Sequence, residues 1–339
     1  MRGVPAGRWR CRTCRAPWQE NSTGFGWGCY RCRVMRASVS DVPVAWVLGA
    51  PTASGKSAVA LDLAERLGLE IVVADAMQVY RGLDVGTAKP TREDRVRVRH
   101  HMIDVVAVDA GFSVADWVRG AEQAILDAAG RGVGCLVVGG TGFYLDALAH
   151  GLPLTPPADP EVQARLWTRL EAEGLDALLG VLADVAPEDA VRAERNPRRV
   201  VRALEIVERT GRAPSSFGRS RPRVRVDRTW LVPDMAVLAP RIEARARAML
   251  VGGWPEEAAR LDEGALATAS QAIGYGEAAA LARGERSFEE ALERIVVGTR
   301  QYAKRQRTWF KRHAAERVFE NVAEFVRDDL ERWLASQID

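Results

Sequence analysis

The sequence predicts an α/β fold: a parallel-sheet core that carries a phosphate-binding loop and is interrupted by a helical insertion. Three observations predict it. The apolar run VAWVL at residues 44–48 leads into Ala50-Pro-Thr-Ala-Ser-Gly-Lys-Ser57 and then into a segment with Val59, Leu63 and Leu67 at helical spacing, the order strand, tight loop, helix. Further β-branched runs at 69–74, 134–138 and 226–232 alternate with helical patterns, as strand–helix–strand units require. Between 157 and 225 the pattern is helical and no strand-like run occurs. The expected class is therefore a P-loop NTPase-like core with a parallel sheet and a helical insertion domain.

Residues 1–34 come first. They hold seven arginines against one acid, Glu20, so they carry +6 of a chain whose net charge is +3, which leaves −3 for the remainder. Any basic surface on the main body must then be local. Cys11-Arg-Thr-Cys14 and Cys29-Tyr-Arg-Cys32 have zinc-ribbon spacing, but the segment lacks the apolar alternation of ribbon strands. Met35 opens a short polar lead into the first strand and is a candidate natural start. Residues 1–42 are accordingly expected to be an N-terminal extension, either disordered or a start-site artefact. No apolar run approaches the ~20 residues of a membrane span, and no secretory h-region is visible. A cytoplasmic monomer is the default expectation.

The loop comes next. Its backbone N–H groups converge beside the positive end of a helix dipole, an arrangement that holds linked phosphates. Ala50, Pro51, Thr52, Ala53, Ser54, Gly55, Lys56 and Ser57 are the candidate diphosphate-binding residues. Lys56 supplies a mobile ammonium and Ser57 a hydroxyl for Mg²⁺. Ala50 stands where the loop pattern has Gly, with Gly49 one residue early. The loop alone names no reaction, because kinases, ATPases and diphosphate-leaving transferases share it. Lysine is scarce, with Lys56, Lys89, Lys304 and Lys311 set against 44 arginines, so each lysine is a lead to a site that prefers a compact charge.

Residues 69–74 read as a second buried parallel strand. Asp75 lies just past its carboxyl end, where the ligand crevice of an open α/β sheet is found. A carboxylate there suits proton transfer; a structural or metal-neighbouring carboxylate is the alternative. Residues 78–90 form a polar, Gly-bearing loop. His100 and His101 point opposite ways on an extended chain and make no shared metal site; a loop or core role is expected. Residues 114–129 are helical by period. Residues 134–138 form a third strand, with Cys135 in the core, and end in Gly139-Gly-Thr-Gly142. That ending brings backbone and the Thr141 hydroxyl to the crevice, and Thr141 is also a candidate N-cap for the helix that follows.

Prolines at 153, 156, 157 and 160 mark the boundary of the first core part, 43–156. The insertion, 157–225, packs Arg192, Arg195, Arg198, Arg199 and Arg202 close together. The second core part, 226–339, contains long helical patterns at 241–261 and 278–310, joined by Ser270-Gln-Ala-Ile-Gly-Tyr275. On the second pattern Arg300, Lys304, Arg307 and Lys311 fall on one stripe, interleaved with Tyr302, Trp309 and Phe310. A solvated helix face is one reading; a surface for nucleic-acid phosphates is the sharper one.

Taken together, APTASGKS, ADAMQVYRGLDVGTAKP, HHMIDV, VGGTGFYLDAL, NPRRVVRALEIVERTGR, QAIGYGE and TRQYAKRQRTWFKR resemble, in order and over nearly all the chain after residue 43, the tRNA dimethylallyltransferase (tRNA isopentenyltransferase) family. The resemblance implies transfer of a dimethylallyl group from dimethylallyl diphosphate to N6 of adenosine 37 beside the tRNA anticodon, with Mg²⁺ and release of diphosphate. It implies that the phosphate loop holds the leaving diphosphate, that Asp75 takes the N6 proton or orients that amine, that Thr141 contacts the diphosphate and that Arg245 clamps it. Arg241 and Arg247 are the alternatives in that register. It further implies that the tRNA anticodon stem-loop meets Asp75, Ala76, Met77 and Gln78 around the extruded adenine, together with Thr141 and Gln163. The same resemblance extends those contacts to Arg198, Arg199 and Arg202, to Gln271, Gly274 and Tyr275, and to Arg300, Lys304, Arg305 and Arg307.

The chain departs from the family pattern at Ala50, at Ala76-Met77 where Ser-Arg is frequent, at Gln163 where an arginine is expected, and at Asn196-Pro197 where Asn-Asp is common. None of these removes a group that the chemistry needs. A small-molecule kinase, a prenyltransferase of free adenine nucleotides and a non-enzymatic RNA-binding ATPase are the competing readings. The basic helix and the insertion have no task in a kinase, they favour polymeric RNA over a free nucleotide, and Asp75 has no task in an adaptor.

Overall fold

The computed structural model describes residues 42–328. The readings placed on Cys11, Cys14, Cys29, Cys32 and Met35 fall outside those residues. The described chain divides into two compact units, one formed by residues up to 149 and from 223 onward, the other by 150–222.

The larger unit is built on six parallel strands: β1 (Val44–Gly49), β2 (Glu70–Ala74), β3 (His100–His101), β4 (Cys135–Gly139), β5 (Arg225–Leu231) and β6 (Arg317–Phe319), in spatial order β3-β2-β4-β1-β5-β6. β2, β4 and nearly all of β1 are buried, as expected for continuous apolar runs in a sheet covered on both faces. β3 and β6 have no sequence signal of their own. They are two and three residues long, too short for a period, and each is held by pairing along β2 or β5. The histidine pair thus forms an edge strand. His101 Nε2 lies 2.7 Å from Glu70 Oε2, and His100 Nδ1 lies 2.7 Å from the Val98 carbonyl.

Register decides where chemistry can gather. Gly139 of β4 is level with Gly49 of β1 on one side and Ala74 of β2 on the other. The next residues, Ala50, Gly140 and Asp75, therefore emerge in one row at the carboxyl ends of adjacent strands. The Ala50 N–H donates to the Gly139 carbonyl at 3.1 Å, and the Thr141 N–H donates to that of Ala74 at 3.3 Å. Helices α1 (Lys56–Leu67), α2 (Arg92–Arg97), α3 (Val114–Gly130) and α4 (Gly142–His150) lie between these strands in sequence. α3 starts on a capping box made by Ser113 and Asp116, and its buried Trp117 donates to the Val73 carbonyl at 2.9 Å.

The smaller unit contains α5 (Pro160–Glu173), α6 (Leu175–Val185), α7 (Pro187–Arg192) and α8 (Pro197–Thr210) around Leu166, Leu178, Leu182, Val200, Val201 and Leu204. Each such side chain contributes about 1.5–3 kcal/mol over an exposed one. Asn196 caps α8 by accepting from the N–H groups of Arg198 and Arg199, with Pro197 at the first turn, which accounts for the Asn-Pro pair. The two ends of the unit are tied to each other. Ser220 donates to the Leu152 carbonyl at 2.8 Å, its hydroxyl accepts from the Leu152 N–H at 3.0 Å, and Pro153 bridges Arg219. The unit starts at His150 and ends at Pro222, where the sequence suggests 157 and 225.

The two long helical patterns are each broken. α9 (Met235–Val251) and α10 (Trp254–Ala259) are separated by a turn with Gly253 at φ 100°, a conformation that ends a helix. After α11 (Glu263–Ala269) and α12 (Tyr275–Ala282), α13 (Phe288–Arg312) begins on a Ser287–Glu290 capping box and runs 25 residues. α14 (Val322–Asp328) closes the described chain.

Candidate active site

The phosphate loop connects β1 to α1. Gly49 ends the strand, and its missing side chain makes room: a Cβ there would lie 2.5 Å from the Trp230 ring and 2.6 Å from Phe310. The early glycine is thus a packing residue, and Ala50, fully buried, carries the loop without one. Ala53 adopts φ 61° and Gly55 φ 90°. A left-handed alanine stores about 1–2 kcal/mol, strain of the kind found where a loop is shaped for a ligand. Gly55 precedes α1 with no capping side chain. Ser54 Oγ, 3.3 Å away, accepts the Lys56 N–H, which leaves the first-turn N–H groups of Ser57 and Ala58 for an anion. The Thr52 N–H is different: it donates to Gln306 Oε1 at 2.8 Å, so Thr52 has only its hydroxyl to offer.

Lys56 folds over this loop, donating from Nζ to the Pro51 carbonyl at 3.3 Å. Burial, reinforced by the Arg245 guanidinium and opposed by Asp75, lowers its pKa to about 8. Arg245 is itself held below the usual guanidinium range by burial, against the pull of Asp75. Lys56, Arg245 and Asp75 therefore share one electrostatic neighbourhood, two cations beside one carboxylate. The three arginines of α9 separate clearly. Arg245 acts on Lys56, Arg241 Nη1 donates to the Ser54 carbonyl at 3.2 Å, and Arg247 pairs with Glu289 at 3.1 Å.

Asp75 accepts at Oδ1 from the N–H groups of Met77 at 2.9 Å and Gln78 at 3.3 Å. Thr141 Oγ1 accepts from the Ala76 N–H at 3.3 Å. Its hydroxyl thus reaches the end of β2 and lies near the Tyr302 phenol. Gln78 donates to the Thr87 carbonyl at 3.1 Å. That loop is fastened from beneath by the buried Glu257, whose carboxylate accepts the N–H groups of Asp84, Val85 and Gly86 at 2.7–3.1 Å and the Tyr275 hydroxyl at 2.6 Å.

Tyr275, expected at the RNA surface, is therefore a core residue with 0% exposure. Gly274 has φ 101°, and a side chain there would collide with Trp254. The Arg202 guanidinium lies 2.7 Å from the buried Glu205, to which Gln163 also donates at 2.9 Å, so both side chains serve their own unit. Arg199 pairs with Glu194 at 2.7 Å, while Arg198 is exposed. On α13, Arg300 lies 3.5 Å from Glu243 and Arg307 3.1 Å from Asp234. Lys304, Arg305 and Lys311 are exposed, with Arg305 5.8 Å from the Tyr302 ring centre. Gln271 is exposed on the turn before α12.

The donors suit a hard cation. Ser57 is exposed at the start of α1, the hydrogen bonds on Asp75 fall on one oxygen, and among the described residues no cluster of three or more His, Cys, Asp or Glu forms a self-sufficient metal cage. That set fits Mg²⁺ held largely by substrate phosphates. Sequence reasoning passed over Gln306 and Glu257, and gave Arg241 only as an alternative to Arg245. For Gln306 the one available signal was a neutral amide at the centre of a cationic run.

The sequence model of the IPP transferase family matches residues 78–313. The chain belongs to the IPP transferase family. Relatives agree. A tRNA dimethylallyltransferase of Deinococcus radiodurans is 50% identical over 282 residues, covering 81% of this chain and 92% of that protein. One from Thermus thermophilus is 50% identical over 275 residues, covering 80% and 91%. The crystal structure of the tRNA isopentenylpyrophosphate transferase of Bacillus halodurans is 33% identical with a TM-score of 0.58, covering 88% of this chain and 94% of that one. A eukaryotic dimethylallyltransferase, 24% identical with a TM-score of 0.69 and coverage of 88% and 79%, shares the fold. The family match begins at Gln78, so the phosphate loop and Asp75 lie before it and rest on the geometry above. No helix among the described residues is long and apolar enough to cross a membrane.

Proposed function

We propose that this member of the IPP transferase family transfers a dimethylallyl group from dimethylallyl diphosphate to N6 of adenosine 37 in tRNA, releasing diphosphate, and that it does so in the cytoplasm. The observation that carries this reading is the row formed by the phosphate loop, Asp75 and Thr141 at the carboxyl ends of β1, β2 and β4, with Lys56 and Arg245 beside it.

The bond between C1 of the allyl group and the diphosphate oxygen breaks as the bond from C1 to N6 forms. Negative charge grows on the leaving diphosphate, and charge stabilisation there is the main catalytic task. Lys56, Arg245 and the N–H groups of Ser57 and Ala58 meet it. The Ser57 hydroxyl would be the protein's ligand to Mg²⁺, which would supply further neutralisation of the diphosphate when bound. Thr141 orients the diphosphate, and Asp75 accepts the proton that N6 loses, with backbone donors fixing its carboxylate. Gln78, hydrogen-bonded to the neighbouring loop, faces the extruded adenine in this reading. The exposed Lys304, Arg305 and Lys311 of α13 and Arg198 of the helical unit are assigned to phosphates of the anticodon stem-loop.

The test is incubation of the protein with Mg²⁺, dimethylallyl diphosphate and unmodified tRNA, followed by mass analysis of the nucleosides. Prenylated adenosine that requires all three additions supports the reading. ATP turnover or a phosphorylated small molecule without that product overturns it in favour of a kinase.

A further inference from the structure

Gln306 is 7% exposed and sits on α13 among exposed cations, yet its side chain is aimed inward. Its Oε1 accepts the Thr52 N–H at 2.8 Å, and its Nε2 donates to the Gly140 carbonyl at 2.8 Å. One partner is a donor and the other an acceptor, both backbone, so the orientation of the amide is fixed. The two contacts lie on opposite limbs of the crevice, the phosphate loop after β1 and the turn before Thr141. A side chain at Gly140 would collide with this amide, and one at Gly142 with the Trp309 ring one turn further along α13. Tyr302, one turn back, places its phenol near both Gln306 and Thr141.

We infer that Gln306 is a positioning residue for the diphosphate: its single carboxamide sets the spacing between the phosphate loop and the Gly140–Thr141 turn. The inference rests on the transferase reading for the identity of the anion. The amide touches no reacting atom. Without it a partly buried N–H and a buried C=O lose their partners, and the two limbs lose the strut between them.

The probe is magnesium pyrophosphate binding, read by calorimetry, with tRNA affinity measured alongside. Gln306→Met removes both hydrogen bonds at similar volume and should weaken pyrophosphate binding by roughly tenfold or more, with tRNA affinity within about twofold of the parent. Gln306→Glu provides the discriminating arm. As a carboxylate it keeps the acceptor and sets an anion against the Gly140 carbonyl; as a carboxylic acid it offers the original acceptor–donor pair. Its pyrophosphate affinity, relative to the parent at the same pH, should therefore recover as pH falls from 7.5 to 5.5, a range below the titration of Lys56, with the Tyr302 phenol neutral throughout. Gln306→Met should show no such recovery. If the parent binds pyrophosphate and the Met variant binds it equally, or if the Glu variant shows no recovery on acidification, the inference is overturned. If the parent binds no pyrophosphate, the transferase reading fails instead. Should the Met variant not fold, the pH response of the Glu variant decides alone.

Discussion

Arg241 donates from Nη1 to the Ser54 carbonyl at 3.2 Å, so the first arginine of α9 grips the phosphate loop by its backbone. The second, Arg245, acts on Lys56 and Asp75, and the third, Arg247, pairs with Glu289. Three alanine variants should therefore rank. Arg245→Ala should lower kcat by about 10²–10³, the scale for removing a group that stabilises developing charge. Arg241→Ala should chiefly raise KM for dimethylallyl diphosphate. Arg247→Ala should stay within about twofold, since an exposed pair contributes ~1 kcal/mol or less. Steady-state prenyl transfer measures all three.

Asp75→Asn should reduce turnover by about 10²-fold or more, the range for loss of a general base, with tRNA affinity little changed. The amide keeps an oxygen for the Met77 and Gln78 N–H groups, so the loop survives. Single-turnover kinetics with tRNA in excess would separate chemistry from binding; a variant with parental turnover would remove Asp75 from the mechanism.

Lys56 has its pKa lowered to about 8 in the ligand-free protein. A bound diphosphate favours the ammonium and raises that value. Below pH 8 the side chain is charged in both states, and affinity does not depend on it. Above pH 8 binding must take up a proton, so pyrophosphate affinity should fall as pH rises through 8. Calorimetry in buffers of different ionisation heat should show proton uptake near pH 9 and none from this residue near pH 6.5, and Lys56→Met should abolish the difference.

The cations of α13 are not equivalent. Lys304 and Lys311 are exposed, whereas Arg307 is held at 3.1 Å by Asp234. Lys304→Ala and Lys311→Ala should each reduce the slope of log affinity for tRNA against log salt by about one. Arg307→Ala should change the slope less and lower thermal stability more. Equal slopes in all variants would return this face to plain solvation.

Glu205 is wholly buried. Burial works against its charge, but hydrogen bonds from Arg202, Gln163 and the Asp159 N–H outweigh burial and hold its pKa below the usual range. The stability it contributes is present above the unfolded-state pKa of about 4.3 and is lost as pH falls through the lower folded value. Glu205→Ala leaves the half-buried Arg202 guanidinium, the Gln163 amide and the Asp159 N–H without their acceptor and should cost about 1–3 kcal/mol, read by urea unfolding at pH 7.

Contiguous chemistry was legible in the sequence. The phosphate loop, Asp75 after a buried strand and Thr141 after another are each announced by a few adjacent residues, and parallel register then places them in one row. The helical character of the insertion was legible from the absence of period-two runs. What stayed hidden depends on partners far along the chain. Gln306 meets Thr52 and Gly140 only after folding, in a stretch whose composition points to the surface. Tyr275 sits in a turn-like sequence that reads as exposed, and Glu257, which buries its hydroxyl, carries no local mark. β3 and β6 are borrowed from their neighbours. The helix breaks at Gly253 and before Ser287 were obscured because apolar spacing continues across them.

The mutual bonding of Leu152 with Ser220, and of Pro153 with Arg219, has an evolutionary consequence. The excursion that leaves after α4 and rejoins at β5 is sealed at its own base. Lineages can therefore lengthen, shorten or exchange what lies beyond that seal without re-threading a single strand. A graft from a relative joined at these two positions inherits a ready-made collar, so the unit can be transplanted with its own seal.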